Sequence, residues 1–462
     1  MNLMLRSRRL MPGEFLFRLA VGVRGESAVF NHLREFEESQ FLPDAAVKRN
    51  QTVALARALT FARDRTRRYG ELLAHTRRIV PDEARNLLSE LPLLTKRELQ
   101  TSPEDLLVSP LPKRVSRKTT GGSTGQTVTV LKDPRSLAFE MAATWRGYGW
   151  AGLRIGDRAM RWWGRGASLR RRLRSSLADL AMNRVTASAF AFSESDLLRY
   201  WNIAQSFRPA YFYGYSSMLA AFARFVVDRG LNGRALRLRA IVSTSEVLDA
   251  TTRQLLAEVF GAGVYDEYGC GEVGPIAFEC NVGSLHISAE NLVVEVLKPD
   301  GTTATAGESG QVVVSDLHNR AMPLLRYALG DNAEVGESCS CGRGLPTLSR
   351  VWGRAYDMVL TPSGTRFHGE FFMYLFEDLR VQGHAVDQFQ VVQRSSTELL
   401  FRIVTSGGLD AIVQNVQSRV RHQLAGMTLH FERVDGIPRA PSGKIRLIVN
   451  LDRAGIAGDS IS

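Results

Sequence analysis

The stretch "SDLLRYWNIAQSFRPAYFYGYSSMLAAFARFVVDRGLNGRALRLRAIVSTSEVLDATTRQLLAEVFGAG", residues 195–263, decides the fold class. Its opening, Ser195–Phe207, has the apolar spacing of a helix, and "AYFYGYSS" (Ala210–Ser217) begins as a strand. "ALRLRAIVSTSE" (Ala235–Glu246) contains a second strand, and "DATTRQLLAEVFGAG" (Asp249–Gly263) reads as a helix closed by glycine. Helices and strands in alternation imply an α/β protein with a mainly parallel, helix-covered sheet. Ligands of such sheets gather beyond the carboxyl ends of the strands.

Outward from this centre the pattern changes twice. Residues 1 to about 110 read as mostly helical, with Leu55, Leu59 and Ala62 on one face and a capped turn in "LTKRELQTS" (Leu94–Ser102). On the other side, "NLVVEVLKPDGTTATAGESGQVVVSDL" holds two β-rich runs around an Asp-Gly turn, the pattern of an antiparallel unit. Beyond Trp352, "DQFQVVQRSSTELLFRIVT", "DAIVQNVQSRVRHQL" and "MTLHFERV" predict a small ββαβ-like tail. Two domains follow, 1–352 and 353–462, in keeping with 462 residues of which 44% are apolar.

Composition narrows the partners. The chain has 23% charged residues and a formal charge of +12, but apart from "RRRLRSSL" (Arg170–Leu177) its basic residues are scattered. No tract interleaves basic and aromatic residues, so nucleic acid is not an expected partner. The apolar run near the N-terminus is broken by Glu14 and Arg18 and is too short for a membrane span or export signal, from which a cytoplasmic location is expected. Four cysteines without secretory context do not suggest a disulfide framework.

"TTGGSTGQTVTV", Thr119–Val130, then asks for a function. Glycines let backbone approach a ligand, and hydroxyls with successive N–H groups can surround an anion. The stretch is no Walker loop, because Gln126 stands where lysine would follow Gly125. It is no dinucleotide fingerprint either, because its glycines precede a strand. Taken alone, it suits a phosphate loop and an ordinary hairpin turn equally well.

Four further segments accompany it in order: "YDEYGCGEVG" (Tyr265–Gly274), "RYALGDNAEV" (Arg326–Val335), "RVWGRAYDMV" (Arg350–Val359) and "RAPSGKIR" (Arg439–Arg446). Together the five resemble the adenylate-forming superfamily of acyl-CoA synthetases and adenylation domains. Over residues 90 to 450 the chain looks most like its phenylacetate-CoA ligase and CapK-like branch. The resemblance implies a large α/β N-terminal domain with a β-rich subdomain, and a small mobile α+β C-terminal domain carrying a catalytic lysine. It implies ATP, Mg²⁺ and CoA as reactants and cofactors, with a carboxylic acid activated to acyl-AMP and then passed to a thiol. CapK-like kinship leaves a different acceptor open, an amine, hydroxyl or carrier in polysaccharide synthesis, and loss of catalysis in a nucleotide-binding protein is a third reading.

Residue by residue, the resemblance assigns Thr120, Gly121, Gly122, Ser123, Thr124 and Gly125 to the ATP phosphates. It assigns Glu272 to Mg²⁺, and Tyr268, Gly269, Ser245 and Glu246 to the surroundings of adenine. Asp331 falls to the ribose hydroxyls, Arg354 to the ribose and hinge, and Lys444 to the α-phosphate and substrate carboxylate. Tyr213, Gly214 and Tyr215 match the acyl-pocket segment. Two departures stand out: Gly271 replaces a hydroxyl residue before the motif glutamate, and Tyr356 occupies the usual hinge position. Cys280, His286, Cys339 and Cys341 form a set suited to tetrahedral Zn²⁺, in a pattern that phenylacetate-CoA-ligase-like sequences often carry, with Cys270 as a substitute ligand and buried free thiols as the plain alternative.

Overall fold

The computed structural model describes residues 12–120, 128–163, 179–180, 182–188, 194–248, 250–352, 358–362, 366–421, 423–437 and 447–451. The lead-in is helical, as the apolar spacing requires, in segments from Pro12–Arg24 to Lys96–Thr101. Leu55, Leu59 and Ala62 of the helix Asp44–Arg65 are buried, and Thr95 with Glu98 forms the reciprocal cap that starts Lys96–Thr101.

Strands β1 (Ser116–Thr120) and β2 (Val128–Lys132) pair antiparallel, Thr120 opposite Val128, so the glycine-rich loop joins the two arms of a hairpin. The helix Pro134–Trp150 follows. Asp133 caps it by accepting from the Arg135 and Ser136 amides.

Next come β3 (Ala159–Trp163), β4 (Arg184–Ser188), β5 (Tyr211–Tyr215), β6 (Ala240–Thr244) and β7 (Gly263–Cys270). These five lie parallel in the order β4-β3-β5-β6-β7. The expected helix ends at Phe260, where Gly261 takes φ +65°, the left-handed conformation that a helix C-terminus asks of glycine.

The antiparallel unit comprises β8 (Gly274–Glu279), β9 (Leu285–Ile287), β10 (Leu292–Leu297), β11 (Ser309–Asp316), β12 (Tyr327–Val335) and β13 (Thr347–Trp352). It is not a separate sheet. The antiparallel pairing of β7 with β8 fuses it to the parallel part, giving one 11-stranded sheet among the described residues. Strand β7 therefore lies at the seam between the parallel and antiparallel halves, and the motif "YGCGEVG" straddles that seam.

Past the main sheet, β14 (Met358–Leu360) and β15 (Arg366–His368) form a hairpin, and β16 (Gln388–Ser395), β17 (Glu398–Val404), β18 (Thr428–Arg433) and β19 (Ile448–Asn450) form a sheet ordered β18-β17-β16-β19. The ββαβ-like tail is thus present, with β19 added beside β16. Its core residues Phe372, Phe376, Phe401 and Ile448 belong to the same apolar cluster as Trp162, Phe212 and Phe222 of the large sheet.

Candidate nucleotide, acyl and metal sites

The carboxyl ends of β5, β6 and β7 carry three of the expected segments side by side. Tyr215 is in register with Thr244, and Thr244 with Glu267. One residue past β6, Ser245 has φ +66°. A non-glycine side chain in the left-handed region is strained by about 1 kcal/mol or more and marks sites where function fixes the backbone. At the end of β7, the Tyr268 hydroxyl donates to Asp331 Oδ2 at 3.0 Å, joining two motifs distant in sequence. Gly269 is required there because a Cβ would lie 2.8 Å from the Gly274 carbonyl oxygen and 3.1 Å from Pro275 Cα.

Glu272 is buried, and the Tyr327 hydroxyl donates to its Oε1 at 3.3 Å. Cys270 feels both acids: burial first, then the charges of Glu272 and Asp331, push its thiol well above the ordinary cysteine range. It therefore belongs with the acidic cluster. Among the described residues it is not part of the Cys/His set, so it is no substitute metal ligand.

The segment Tyr213–Tyr215 is ordered by stacking. The Trp163 ring lies 5.7 Å from Tyr213 and 4.9 Å from Tyr215, at interplanar angles of 10° and 25°. Gly214 lets β5 approach β3, since a Cβ would stand 2.8 Å from the Trp162 carbonyl oxygen. Tyr213 also donates to the half-buried Glu267 at 3.4 Å, as Tyr148 does at 3.2 Å. Burial pushes the Glu267 carboxyl up to about 7, against those hydrogen bonds.

The glycine-rich hairpin is anchored at its base. Lys132 of β2 is wholly buried, 2.6 Å from Asp316 Oδ2 and 2.9 Å from Glu140 Oε1, and Lys118 of β1 pairs with the other oxygen of Glu140. Asp316 further accepts from the His318 and Asn319 amides at 2.9 and 3.1 Å. Both arms of the hairpin are thereby tied to the helix Pro134–Trp150, and β2 to the end of β11.

Past the end of β8 and on β9, with the loop before β13, the ligand atoms of Cys280, His286, Cys339 and Cys341 all lie within 4.8 Å of one another. Cys280 Sγ is 3.7 Å from Cys339 Sγ, and Cys341 Sγ is 3.2 Å from His286 Nε2. The His286 Nδ1 lies 3.2 Å from the Leu345 carbonyl, which aims Nε2 at the thiols. Burial pulls the imidazole down to about 4, keeping it neutral as a metal ligand must be. One nitrogen and three sulfurs in this volume fit tetrahedral Zn²⁺.

Of the remaining expected residues, Thr120 ends β1, whereas Gly121, Gly122, Ser123, Thr124, Gly125, Arg354 and Lys444 lie outside the described residues. Sequence reasoning missed Tyr327, although it lies within the quoted "RYALGD" four residues before Asp331. It also missed Glu267 and the Lys132 anchor. Strand alternation along β12 could have found Tyr327; no local signal marks the others.

Comparison with known proteins finds similarity to CapK and to phenylacetate-coenzyme A ligases. Residues 359–451 match the model of the CapK C-terminal domain. The chain is 24% identical to protein CapK of Staphylococcus aureus over 276 residues, 58% of this chain and 59% of CapK. It is 32% identical to the phenylacetate-coenzyme A ligase of Thermus thermophilus over 165 residues, 34% of this chain and 37% of that protein. With the Pseudomonas putida phenylacetate-coenzyme A ligase, identity is 23% over 68% of this chain and 72% of that protein. The relatives it matches are phenylacetate-coenzyme A ligases and CapK, the branch of the adenylate-forming superfamily that the five motifs resemble. The matches to CapK and to the Thermus ligase each span less than two thirds of those proteins. The adenylate-forming fold is seen too in 2-hydroxyisobutyryl-CoA ligase, solved with 2-HIB-AMP and CoA. That structure superposes with a TM-score of 0.61 at 17% identity, over 91% of this chain and 93% of that one. No helix among the described residues is long and apolar enough to cross a membrane.

Proposed function

We propose that this adenylate-forming protein activates a carboxylic acid with ATP and passes the acyl group to CoA. A carboxylate oxygen attacks the α-phosphorus, pyrophosphate leaves, and acyl-AMP results; the thiol then attacks the acyl carbon and AMP leaves. The observation that carries the reading is the meeting of Tyr268, Asp331 and Glu272 at the end of β7, where two motifs distant in sequence supply one edge.

In this reading Asp331 receives the ribose hydroxyls, and Tyr268, already bonded to it, presents its ring to adenine. Ser245 and Glu246 flank the base from the end of β6. Glu272 offers an oxygen ligand to Mg²⁺, which when bound neutralises charge on the phosphates. Thr120 with Gly121–Gly125 surrounds the β and γ phosphates on a hairpin fixed by Lys132 and Lys118. Arg354 stands near the ribose, and Lys444, on a mobile domain formed by 353–462, offsets the charge that develops at the α-phosphorus. Tyr213, Gly214 and Tyr215 wall the acyl group. Cys280, His286, Cys339 and Cys341 would hold one structural Zn²⁺, pinning the β8–β9 turn to the loop before β13.

The CapK match at 359–451 favours a second reading of the transfer step, in which an amine, hydroxyl or carrier replaces CoA. Release of AMP from preformed acyl-AMP separates the two. Dependence on CoA supports the ligase, and release that ignores CoA but needs another nucleophile supports the second reading.

A further inference from the structure

Strands β4, β3 and β5 run parallel and in register, so Thr186, Arg161 and Tyr213 form one row on a single face. The next row toward the carboxyl ends begins with Ser188 and Trp163, whose ring stacks on Tyr213 and Tyr215. The opposite face, with Trp162 and Phe212, is sealed in the apolar core. Arg161 is thus a cation set one layer below an aromatic wall.

Its surroundings do not satisfy it. The guanidinium lies 5.4 Å from the Trp163 ring, but it makes no hydrogen bond or ion pair with any described residue, and its Nε is buried without a partner. Thr186 Oγ1, beside it in the row, is also buried without a partner. The neighbouring charges compensate it only in part: Asp179 acts on Arg161 in its favour but is itself paired with Arg184 at 2.6 Å, and the Arg184 charge opposes it. Burial and the Arg184 charge pull Arg161 down to about 10, so it stays charged at neutral pH. Buried polar groups are almost always bonded, and an unpaired buried charge is costly, so such a group calls for a partner that the described residues do not supply. A guanidinium fork beside a hydroxyl suits a carboxylate, which can accept from both.

We infer that Arg161 and Thr186 form the far end of the acyl pocket and receive a second anionic group, so that the substrate is a carboxylic acid bearing another carboxylate at its remote end. The inference rests on reading Tyr213–Tyr215 as the acyl wall. Adipate and 4-carboxyphenylacetate, whose two acid groups stand about as far apart as two residues along a strand, roughly 7 Å, serve as probes.

The test compares each dianion with a neutral analogue of similar shape, adipate with 6-methylheptanoate and 4-carboxyphenylacetate with 4-isopropylphenylacetate. ATP–pyrophosphate exchange gives kcat/KM for each acid, and equilibrium dialysis gives the affinity of each acid without turnover. The wild-type protein is expected to favour the dianion at least tenfold in one pair, mostly through KM. In Arg161→Met that ratio falls to about one, and Arg161→Lys keeps part of it. Preference for the neutral acid in both pairs overturns the inference, as does an unchanged ratio in a folded Arg161→Met. If no acid supports exchange, the ligase reading fails, and dialysis still decides this site: tighter binding of a dianion that Arg161→Met abolishes upholds it, and equal binding of both members refutes it.

Discussion

Replacing Lys132 by methionine removes a charge while keeping most of the side-chain volume. Lys132 Nζ is wholly buried and bridges Asp316 and Glu140 at 2.6 and 2.9 Å. Without it, Asp316 retains only the His318 and Asn319 amides, while Glu140 retains Lys118. Breaking a buried pair from one side costs about 3–5 kcal/mol, a large part of the roughly 5–15 kcal/mol that holds a folded protein together. Urea unfolding followed by tryptophan fluorescence measures the loss. The double variant Lys132→Met/Asp316→Asn, which removes the stranded charge but keeps an acceptor for the two amides, should recover about 1–3 kcal/mol. The pH dependence has a definite sign. Burial works against the Asp316 carboxylate, yet Lys132 and the hydrogen bonds hold its pKa below the ordinary value. Its contribution is present above the unfolded aspartate value and lost as pH falls through the folded one. Burial likewise opposes the Lys132 ammonium, but Asp316 and Glu140 raise its pKa, so its share is complete below the unfolded lysine value and lost only as pH rises through the higher folded one. A loss under about 1 kcal/mol in Lys132→Met, or no recovery in the double variant, would show that this network is not what anchors the hairpin.

Two other substitutions address the sites. Asp331→Asn keeps shape but removes the charge offered to the ribose. Hydrogen bonds to a charged group are worth about 1.5–3 kcal/mol, so KM for ATP should rise roughly tenfold to a hundredfold; an unchanged KM would remove Asp331 from nucleotide binding. The Cys/His set should carry about one zinc per chain by elemental analysis, and Cys339→Ser should lower both the bound metal and the thermal midpoint. Metal-free protein with wild-type stability would show that the four donors are free thiols and a neutral histidine.

Much of this was legible in the sequence because motif residues sit at strand ends, where local pattern is strong. The alternation across 195–263 predicts the parallel strands, which the sheet contains, and the order of five segments carries the resemblance that the matched relatives share. Cys280, His286, Cys339 and Cys341 were named from spacing and resemblance, and they do converge. What could not be read depends on contacts between remote strands. The fusion of parallel and antiparallel parts runs through β8 and the three-residue β9, too short to carry a period. The bond from Lys132 to Asp316 spans 184 positions, and nothing near either residue announces it. The isolation of Arg161 is likewise a property of the neighbours that the sheet places around it.

The central claim is that this chain makes acyl-AMP, with Lys444 as the mobile cation. Carboxylate-dependent exchange of labelled pyrophosphate into ATP, run on wild type and Lys444→Ala across aryl, fatty and dicarboxylic acids, tests it most directly. The account predicts exchange with at least one acid and its near abolition in the folded variant. Exchange at the wild-type rate in Lys444→Ala, or ATP binding without exchange for every acid, would contradict it.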